Sequence, residues 1–387
     1  MSTKENDKAY IAGTYNRFNA ALSTGSGATY TDEDGKKYID FGSGIGVTTF
    51  GACDSEWVAA VEQQLHTMGH VSNLYYSAPQ AELARMICER AGMKKVFFGN
   101  SGAEANECAI KVARKYGNMS SGGKRNVIVT LKDSFHGRTV TTLAATGQDV
   151  FHKDFGPFTD GFRYVEANRF AEIEKALEPG DVCGVLMEMV QGEGGVNVMD
   201  RSYVKRVAQL CKEKDVLFMV DEVQTGNGRT GKLYSYMHYG VKPDVFTTAK
   251  GLAGGLPMGA CVLGEKAENV LAAGDHGSTF GGNPICAAAA INVLSRIDDK
   301  LLEEVEKKSD FILREMVGTP GMKTIGGKGL LIGIQTEKPA GEIAAACLED
   351  GLMVLTAHHN KVRLLPPLNI SYADLKAGLA ILKKHMA

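Results

Sequence analysis

The chain has 387 residues, of which 44% are hydrophobic and 23% charged. These values are typical of a globular protein with two domains, or with one large domain and an appendage. Its formal net charge of −2 does not favour a nucleic-acid partner or an acidic membrane surface. No apolar run reaches membrane-spanning length and the N-terminal stretch lacks a signal-peptide core, so we expect no membrane partner and a cytoplasmic location.

Eight cysteines are spread along the chain, and no two of them form a Cys-x-x-Cys pair. Their spacing therefore predicts neither a zinc site nor a disulfide framework, and buried thiols are the default interpretation. His66 and His70 stand four residues apart, but Gly69 weakens any helix between them and no third ligand is near. We expect no metal site in this protein.

The first 50 residues contain short strand patterns. Residues 28–31 and 37–41, separated by an Asp-Gly turn at 34–35, predict a hairpin. The glycine-rich stretch 42–46 follows, but Val47 stands where a dinucleotide-binding fingerprint needs glycine or alanine. A nicotinamide site is therefore rejected.

Helices are predicted at residues 57–65 and 79–90, followed by a buried strand at 95–98. Ser101 is a natural helix N-cap, and Glu104 has the spacing of a capping box. A strand, a glycine turn and a helix start can also bind phosphate, because free N–H groups and the helix dipole point at the anion. This stretch alone fits both a phosphate site and an ordinary capped helix.

Further strands are predicted at residues 126–131 and 182–190, and an amphipathic helix at 201–214. Strands that alternate with helices indicate a mainly parallel sheet covered on both faces. Phe135 and Arg138 follow the first of these strands. At that position an aromatic ring could stack on a planar ligand, and an arginine could hold a carboxylate.

The apolar run 216–220 ends in two carboxylates, Asp221 and Glu222, at the end of a predicted buried strand, where ligands bind in α/β sheets. About thirty residues later Lys250 stands among small residues, which leave room for a ring. A lysine amine can condense with an aldehyde cofactor, and a carboxylate can keep a pyridine nitrogen protonated. By itself the pair also fits a surface lysine and a helix-capping aspartate.

The C-terminal part follows a different pattern. Asn283 and Pro284 predict the start of a long helix, and from about residue 300 helices and strands alternate in what looks like a separate α+β lobe, joined by the N-terminal strands. The predicted division is residues 1–50 contributing to a small domain, 51–285 forming a large cofactor-binding domain, and 286–387 forming the C-terminal small domain.

Taken together, these motifs resemble the fold type I pyridoxal-phosphate-dependent aminotransferases of class III. They look most like the ω-amino subgroup and, within it, the members that act on N2-acetylornithine. The most specific segments are residues 70–76, 100–107, 135–139, 221–226 and 276–284. The resemblance implies an α/β fold with a mainly parallel seven-stranded sheet in the large domain, a smaller α+β domain built from both termini, and pyridoxal 5′-phosphate as cofactor.

The resemblance also implies a role for each matching residue. Lys250 would hold the cofactor as a Schiff base and later move the proton between cofactor and substrate carbons. Asp221 would pair with the pyridinium nitrogen, Gln224 would reach the ring hydroxyl, and Phe135 would stack on the ring. The implied cofactor-binding set is Ser101, Gly102, Ala103, Phe135, Asp221, Glu222, Val223, Gln224, Lys250 and Thr279. The first three would cradle the phosphate, and Thr279 would complete that cradle from the neighbouring subunit of a homodimer.

The substrate-binding residues implied by the resemblance are Arg138, Ser278, Glu193, Arg363 and Tyr15. Arg138 would hold the distal carboxylate of each substrate. Glu193 would pair with Arg363 while the ω-amine reacts, and would then release Arg363 to bind the α-carboxylate of 2-oxoglutarate. The alternative is a fixed structural salt bridge.

The implied reaction moves the ω-amino group of N2-acetyl-L-ornithine to 2-oxoglutarate and yields N-acetyl-L-glutamate 5-semialdehyde and L-glutamate, in arginine biosynthesis. Ile45 stands where ornithine aminotransferases tend to have tyrosine, which favours the acylated substrate. The alternatives are transaminases of ornithine, succinyl-diaminopimelate or 4-aminobutyrate, a pyridoxal-phosphate isomerase or racemase, and a non-enzymatic cofactor-binding protein. The Glu193 and Arg363 pair argues against the isomerase or racemase.

Overall fold

A computed structural model describes residues 1–387. The helices are α1 (Thr3–Tyr10), α2 (Ser43–Gly46, a single turn), α3 (Ser55–Thr67), α4 (Ala78–Ala91), α5 (Gly102–Ser121), α6 (Val140–Ala145), α7 (Phe170–Leu177), α8 (Arg201–Glu213), α9 (Pro284–Arg296), α10 (Asp299–Met316), α11 (Ala340–Glu349) and α12 (Tyr372–Met386).

The strands are β1 (Leu22–Ser26), β2 (Thr29–Asp32), β3 (Lys37–Asp40), β4 (Lys95–Gly99), β5 (Val127–Leu131), β6 (Phe162–Val165), β7 (Val182–Met187), β8 (Val190–Gln191), β9 (Asn197–Val198), β10 (Leu217–Asp221), β11 (Val245–Thr248), β12 (Gly259–Leu263), β13 (Met322–Lys328), β14 (Leu331–Thr336), β15 (Leu352–Met353), β16 (Leu355–Ala357) and β17 (Lys361–Leu364).

The centre of the large domain is a seven-stranded sheet with the order β4-β12-β11-β10-β7-β5-β6. Its strands from β11 to β6 run parallel, and β12 pairs antiparallel with both β11 and β4. The predicted mainly parallel seven-stranded sheet is therefore confirmed. Strands β7 and β10 are buried along their whole length, because helices cover both faces of the sheet.

The carboxyl ends of β5, β7, β10 and β11 meet at one edge of this sheet, since these strands run in the same direction. Helix α5 covers one face with its buried side, which includes Ala109 and Val112. Helices α4 and α9 belong to the core of the opposite face, with Leu83 and Val293 among the buried residues. The sheet thus fixes the relative positions of the loops that follow these four strands.

The second core combines both ends of the chain, as predicted. Ala28 and Phe41 from the N-terminal strands share one apolar cluster with Leu379 from α12, and β15 pairs in parallel with β3. A Cβ atom at Gly378 would lie 2.4 Å from Phe41 Cζ, so this helix position needs glycine for the two segments to meet.

The predicted division of the chain into domains stays a prediction. Helix α9 contributes Ala287 and Val293 to the larger core, although it lies within the range predicted for the C-terminal domain. The apolar pattern of α9 predicts a buried face but does not tell which core that face joins. The strand predicted at 182–190 is interrupted after Met187, where the chain turns at Glu188 before β8. No helix is both long and apolar enough to cross a lipid bilayer.

Candidate active site

A cavity of about 410 Å³ opens at the carboxyl edge of the large sheet. It brings together residues that are far apart in the sequence, because they come from the ends of several different strands. Among the residues predicted for the site, those that line it are Ser101, Gly102, Ala103, Phe135, Arg138, Glu193, Asp221, Val223, Gln224 and Lys250.

Asp221, at the end of β10, is held by three neighbours. Its Oδ2 accepts a hydrogen bond from Asn106 Nδ2 at 2.8 Å and lies 2.8 Å from His136 Nδ1. Its Oδ1 accepts the Val223 N–H at 2.9 Å. Thr247 in turn donates to Asn106 Oδ1 at 2.7 Å, which fixes the amide orientation. The carboxylate is thus buried, oriented and able to face a cationic ring nitrogen.

Asn106 and His136 are contacts that the sequence analysis missed, although both lie within the segments that carried the resemblance. Asn106 is 1% exposed on the buried face of α5, and His136 is 2% exposed. A polar residue on the buried face of a helix could have indicated a site contact, because a buried polar group needs a hydrogen-bond partner.

Lys250 lies two residues after the end of β11 and adopts a φ of 45°, a left-handed conformation that non-glycine residues seldom take. Such strain is tolerated where the surrounding structure fixes the chain, and it is common at active sites. Burial lowers the pKa of the Lys250 amine, against the opposing effect of Glu193, and the positive charge of Arg363 lowers it further. A larger fraction of neutral amine makes the lysine a better nucleophile and base.

The start of α5 forms an anion cradle. The Ser101 Oγ caps the helix by accepting the Glu104 N–H at 3.2 Å, while the Glu104 carboxylate accepts the Asn100 N–H at 2.8 Å rather than that of Ser101. Gly102 and Ala103 belong to the first helical turn, where backbone N–H groups have no acceptor within the helix. A Cβ atom at Gly102 would lie 2.6 Å from Val223 Cγ1, so only glycine fits here.

Phe135 and Arg138 form one wall of the cavity. The Phe135 N–H donates to Glu188 Oε1 at 3.0 Å, which fixes the loop after β5. The guanidinium of Arg138 lies 4.0 Å from the Phe151 ring centroid and 5.5 Å from that of Phe135. Two aromatic rings rather than a carboxylate thus position Arg138, which keeps its charge available for an anionic ligand.

Glu188 is a further cavity residue that the sequence analysis did not select. Its side chain joins two loops, because Oε1 accepts the Phe135 N–H and Oε2 accepts the Gly192 N–H at 3.3 Å. Burial raises the pKa of the Glu188 carboxyl to about 7, with His136 opposing this shift and Asp221 adding to it.

The predicted pair of Glu193 and Arg363 is present. Arg363 Nη1 donates to Glu193 Oε1 at 2.7 Å and to Gln224 Oε1 at 3.0 Å. The Arg363 side chain is 3% exposed and that of Glu193 28%. Burial by itself would raise the pKa of Glu193, but the charge and hydrogen bond of Arg363 outweigh it and lower that pKa. Arg363 lies on β17, so this ion pair joins the two domains.

Five predicted residues are not among those that line this cavity. Arg363 contacts its wall through hydrogen bonds to Glu193 and Gln224. The other four, Glu222, Ser278, Thr279 and Tyr15, lie outside the cavity. The Glu222 carboxylate is bound by Ser235 Oγ at 2.7 Å and by the Tyr236 N–H at 2.9 Å. Ser278 accepts a hydrogen bond from Asn100 Nδ2 at 3.1 Å, and Thr279 is exposed in a separate shallow pocket. Tyr15 is 72% exposed in another groove, beside Ile45.

The residues lining the cavity fit pyridoxal phosphate. The free N–H groups at the start of α5 suit a phosphate, the anchored carboxylate of Asp221 suits a protonated ring nitrogen, and the Lys250 amine suits an aldehyde. The close approach of Gly102 to Val223 leaves no room for a side chain at the start of the phosphate cradle.

Comparison with known proteins agrees with this arrangement. The family model described as aminotransferase class-III matches residues 10–386. The chain belongs to the class-III aminotransferases. The family, the fold and the cofactor class predicted from the sequence are therefore confirmed.

Individual relatives cover nearly the whole of this aminotransferase. It is 47% identical over 386 residues to an acetylornithine aminotransferase of Haemophilus ducreyi, which covers 99% of this chain and 98% of that protein. It is similar to the structure of an N-acetylornithine aminotransferase of Stenotrophomonas maltophilia, with a TM-score of 0.84, 34% identity and coverage of 98% and 97%. It is also similar to an ornithine aminotransferase of Toxoplasma gondii, with a TM-score of 0.94, 31% identity and coverage of 99% and 93%. The active site of the Toxoplasma protein holds pyridoxal phosphate at partial occupancy.

Proposed function

We propose that this aminotransferase moves the ω-amino group of N2-acetyl-L-ornithine to 2-oxoglutarate, giving N-acetyl-L-glutamate 5-semialdehyde and L-glutamate, in arginine biosynthesis. The observation that carries the proposal is the 47% identity, over nearly the full length of both chains, to an acetylornithine aminotransferase. The paired Glu193 and Arg363 beside Lys250 support an enzyme that must accept two unlike substrates in one site.

The residues divide the chemical work. Pyridoxal phosphate, when bound, supplies a ring that accepts the electrons left behind when a proton is removed from the carbon next to nitrogen. Asp221 would hold the ring nitrogen in its protonated form, while Ser101, Gly102 and Ala103 would hold the phosphate. The Lys250 amine would take and return the proton at the reacting carbons, a task suited to its lowered pKa.

The two arginines would each bind a different carboxylate of the substrates. Arg138 lies at the wall of the cavity, where its guanidinium contacts the rings of Phe135 and Phe151. Its charge is therefore free to bind the distal carboxylate of the substrate. The carbon of an ω-amine substrate that reacts carries no carboxylate, so Arg363 would have no substrate anion to bind. Glu193 would then neutralise the Arg363 charge. When 2-oxoglutarate enters, Glu193 would turn away and Arg363 would bind the α-carboxylate.

The proposed functional unit is a homodimer. Leu74 and Phe280 are 87% and 60% exposed, and Tyr76 is fully exposed. The segments that carry them are adjacent, because Asn73 Nδ2 donates to the Ser278 carbonyl at 3.1 Å. A second copy covering this apolar surface would also find Thr279 beside it, as the predicted contribution to the partner's phosphate cradle requires. Sedimentation at micromolar concentration tests this, and a monomer with full activity would reject it.

Cytoplasmic location remains part of the proposal. All eight cysteines are unpaired, which suits a reducing compartment.

A paired-substrate assay tests the function. Each candidate amine is mixed with 2-oxoglutarate, and glutamate release is measured. We expect acetylornithine to be turned over most efficiently. The second candidate is ornithine, favoured by the similarity to the Toxoplasma structure. Robust turnover of ornithine with acetylornithine inert would overturn the proposed substrate, and turnover of one substrate without any keto acid would indicate an isomerase or racemase.

A further inference from the structure

Three potential metal ligands meet on the surface where the large domain faces the small domain. Asp133 follows β5, while His358 and His359 lie in the turn between β16 and β17. One ligand atom from each of the three side chains lies within 4.8 Å of the others. Asp133 and His359 are 226 positions apart in the sequence, so only the fold brings them together.

The spacing of these atoms approaches that of a metal site. His359 Nε2 lies 3.3 Å from Asp133 Oδ2, and His358 Nε2 lies 3.9 Å from Asp133 Oδ1. Around a tetrahedral zinc ion with bonds of about 2.0–2.1 Å, ligand atoms stand roughly 3.3 Å apart. The His359 pair has this separation, through Oδ2, whereas His358 lies closest to the other carboxylate oxygen, Oδ1. The exposed His358 side chain would therefore have to rotate for both imidazoles to share one ion with the carboxylate.

We propose that Asp133, His358 and His359, the domain-seam cluster, bind a divalent transition-metal ion such as Zn²⁺. Two imidazoles and one carboxylate are a ligand set found in zinc sites, with water completing the coordination. Imidazole favours zinc, copper, nickel and related ions over magnesium and calcium.

The turn that carries the histidines is anchored. Asn360 accepts the Ala340 N–H at 2.6 Å and donates to the carbonyls of Thr336 and Lys338 at 3.2 and 3.1 Å. His359 and Asn360 both take left-handed φ angles, of 59° and 55°. This backbone lets two consecutive side chains face one carboxylate, whereas consecutive residues of a regular strand point to opposite faces.

The two imidazole rings are close together, with their centroids 4.1 Å apart. A metal ion binds imidazole in its neutral form, so both histidines and the carboxylate can act as ligands of the same ion.

A bound ion would join the two domains near the proposed substrate site. Asp133 precedes Phe135 by two residues, and the His358 N–H donates to the Glu193 carbonyl at 3.1 Å. Lys361 Nζ also donates to the Gly195 carbonyl at 2.6 Å, so the turn is in contact with the loop that carries Glu193. We therefore expect the ion to stabilise this seam against thermal unfolding.

Titration calorimetry of the holoenzyme with Zn²⁺ near pH 7.5 tests the proposal, with binding of one ion per chain expected. Asp133→Asn, His358→Asn and His359→Asn should each weaken that binding by roughly tenfold or more, because each removes a ligand. His385→Asn is the matched control, since His385 also faces a carboxylate, Asp350, but without a second imidazole. A background of Cys53→Ser removes the exposed thiol as a competing ligand.

Two results would overturn the proposal: Zn²⁺ affinity unchanged in all three ligand variants, or Mg²⁺ binding as tightly as Zn²⁺. A second measurement is independent of calorimetry and of catalysis. Zn²⁺ should raise the Tm of the holoenzyme and of His385→Asn, because a ligand that binds only the folded state stabilises it. The same ion should raise the Tm of His359→Asn by less, because that variant binds the ion more weakly, and an equal rise in that variant would also reject the site.

Discussion

Replacing Glu193 by alanine tests whether Arg363 alternates between an internal and a substrate carboxylate. In the wild type, Arg363 Nη1 is bound by Glu193 Oε1 at 2.7 Å and by Gln224 Oε1 at 3.0 Å. The variant keeps the neutral amide contact and loses the charged one. A buried guanidinium, 3% exposed, then has no anionic partner until a substrate supplies one.

The size of the effect follows from that lost contact. A hydrogen bond to a charged group contributes about 1.5–3 kcal/mol. Because the Glu193 side chain is 28% exposed, solvent screening favours the lower part of that range, about 1.5–2 kcal/mol. At about 1.4 kcal/mol per factor of ten, the α-carboxylate of glutamate or 2-oxoglutarate should bind roughly ten- to thirtyfold more tightly in the variant. The half reaction with the ω-amine should lose efficiency, since an unpaired positive charge then stands beside a substrate carbon that has no carboxylate.

The assay is a pair of single-turnover half reactions followed by cofactor absorbance, one with glutamate and one with acetylornithine. Glu193→Ala should keep or improve the first and impair the second. Glu193→Gln is the control, because it keeps a hydrogen-bond acceptor but removes the charge, and it should fall between wild type and alanine. Equal loss in both half reactions would mean that the pair is a fixed structural bridge, and the proposed exchange would be rejected.

Three further changes probe the rest of the site. Gly102→Ala should weaken cofactor binding at least tenfold in a titration of the apoenzyme, because the new Cβ would lie 2.6 Å from Val223 Cγ1, and an unchanged affinity would contradict the close packing. Asn106→Leu should lower kcat about five- to 150-fold, since loss of the bond to Asp221 Oδ2 costs about 1–3 kcal/mol in orienting that carboxylate, and a kcat within twofold of wild type would refute this role. Glu188→Gln should change the pH dependence of stability: the folded pKa of about 7 lies above the usual 4.5, so the folded state keeps a proton that the unfolded state releases. Wild-type stability should therefore gain up to about 3 kcal/mol as pH falls from 7 towards 4.5, and this gain should be absent in urea unfolding of the glutamine variant; identical profiles would exclude Glu188 as its source.

Much of the architecture could be predicted because the signals are local. The apolar runs of β7 and β10 indicate strands covered on both faces, and Asn283 followed by Pro284 marks the start of α9. These patterns depend on neighbouring residues, since burial periodicity and helix capping are set within a few positions. The parallel sheet then follows from the alternation of strands and helices.

Which residues form the site depends on which strand ends lie next to each other in the sheet. Local sequence patterns do not contain that information. Glu188 and Asn106 both line the cavity. In the sequence, however, Glu188 is a single polar residue in an apolar stretch, and Asn106 is one of several polar residues at the start of a helix. The adjacent pair Asp221 and Glu222 shows the limit most directly. Consecutive side chains at a strand end point to opposite sides, so one carboxylate enters the cavity while the other is bound by Ser235.

The sequence by itself thus determined the fold class, the family and the main candidates for chemistry, Lys250 and Asp221 among them. The tertiary structure decided how those candidates are oriented, which core receives α9, and that Asp133 meets His359 across the domain seam. The physical reason is the range of the interactions: secondary structure is encoded by neighbours along the chain, whereas contacts between loops depend on how the sheet and the two cores place their ends.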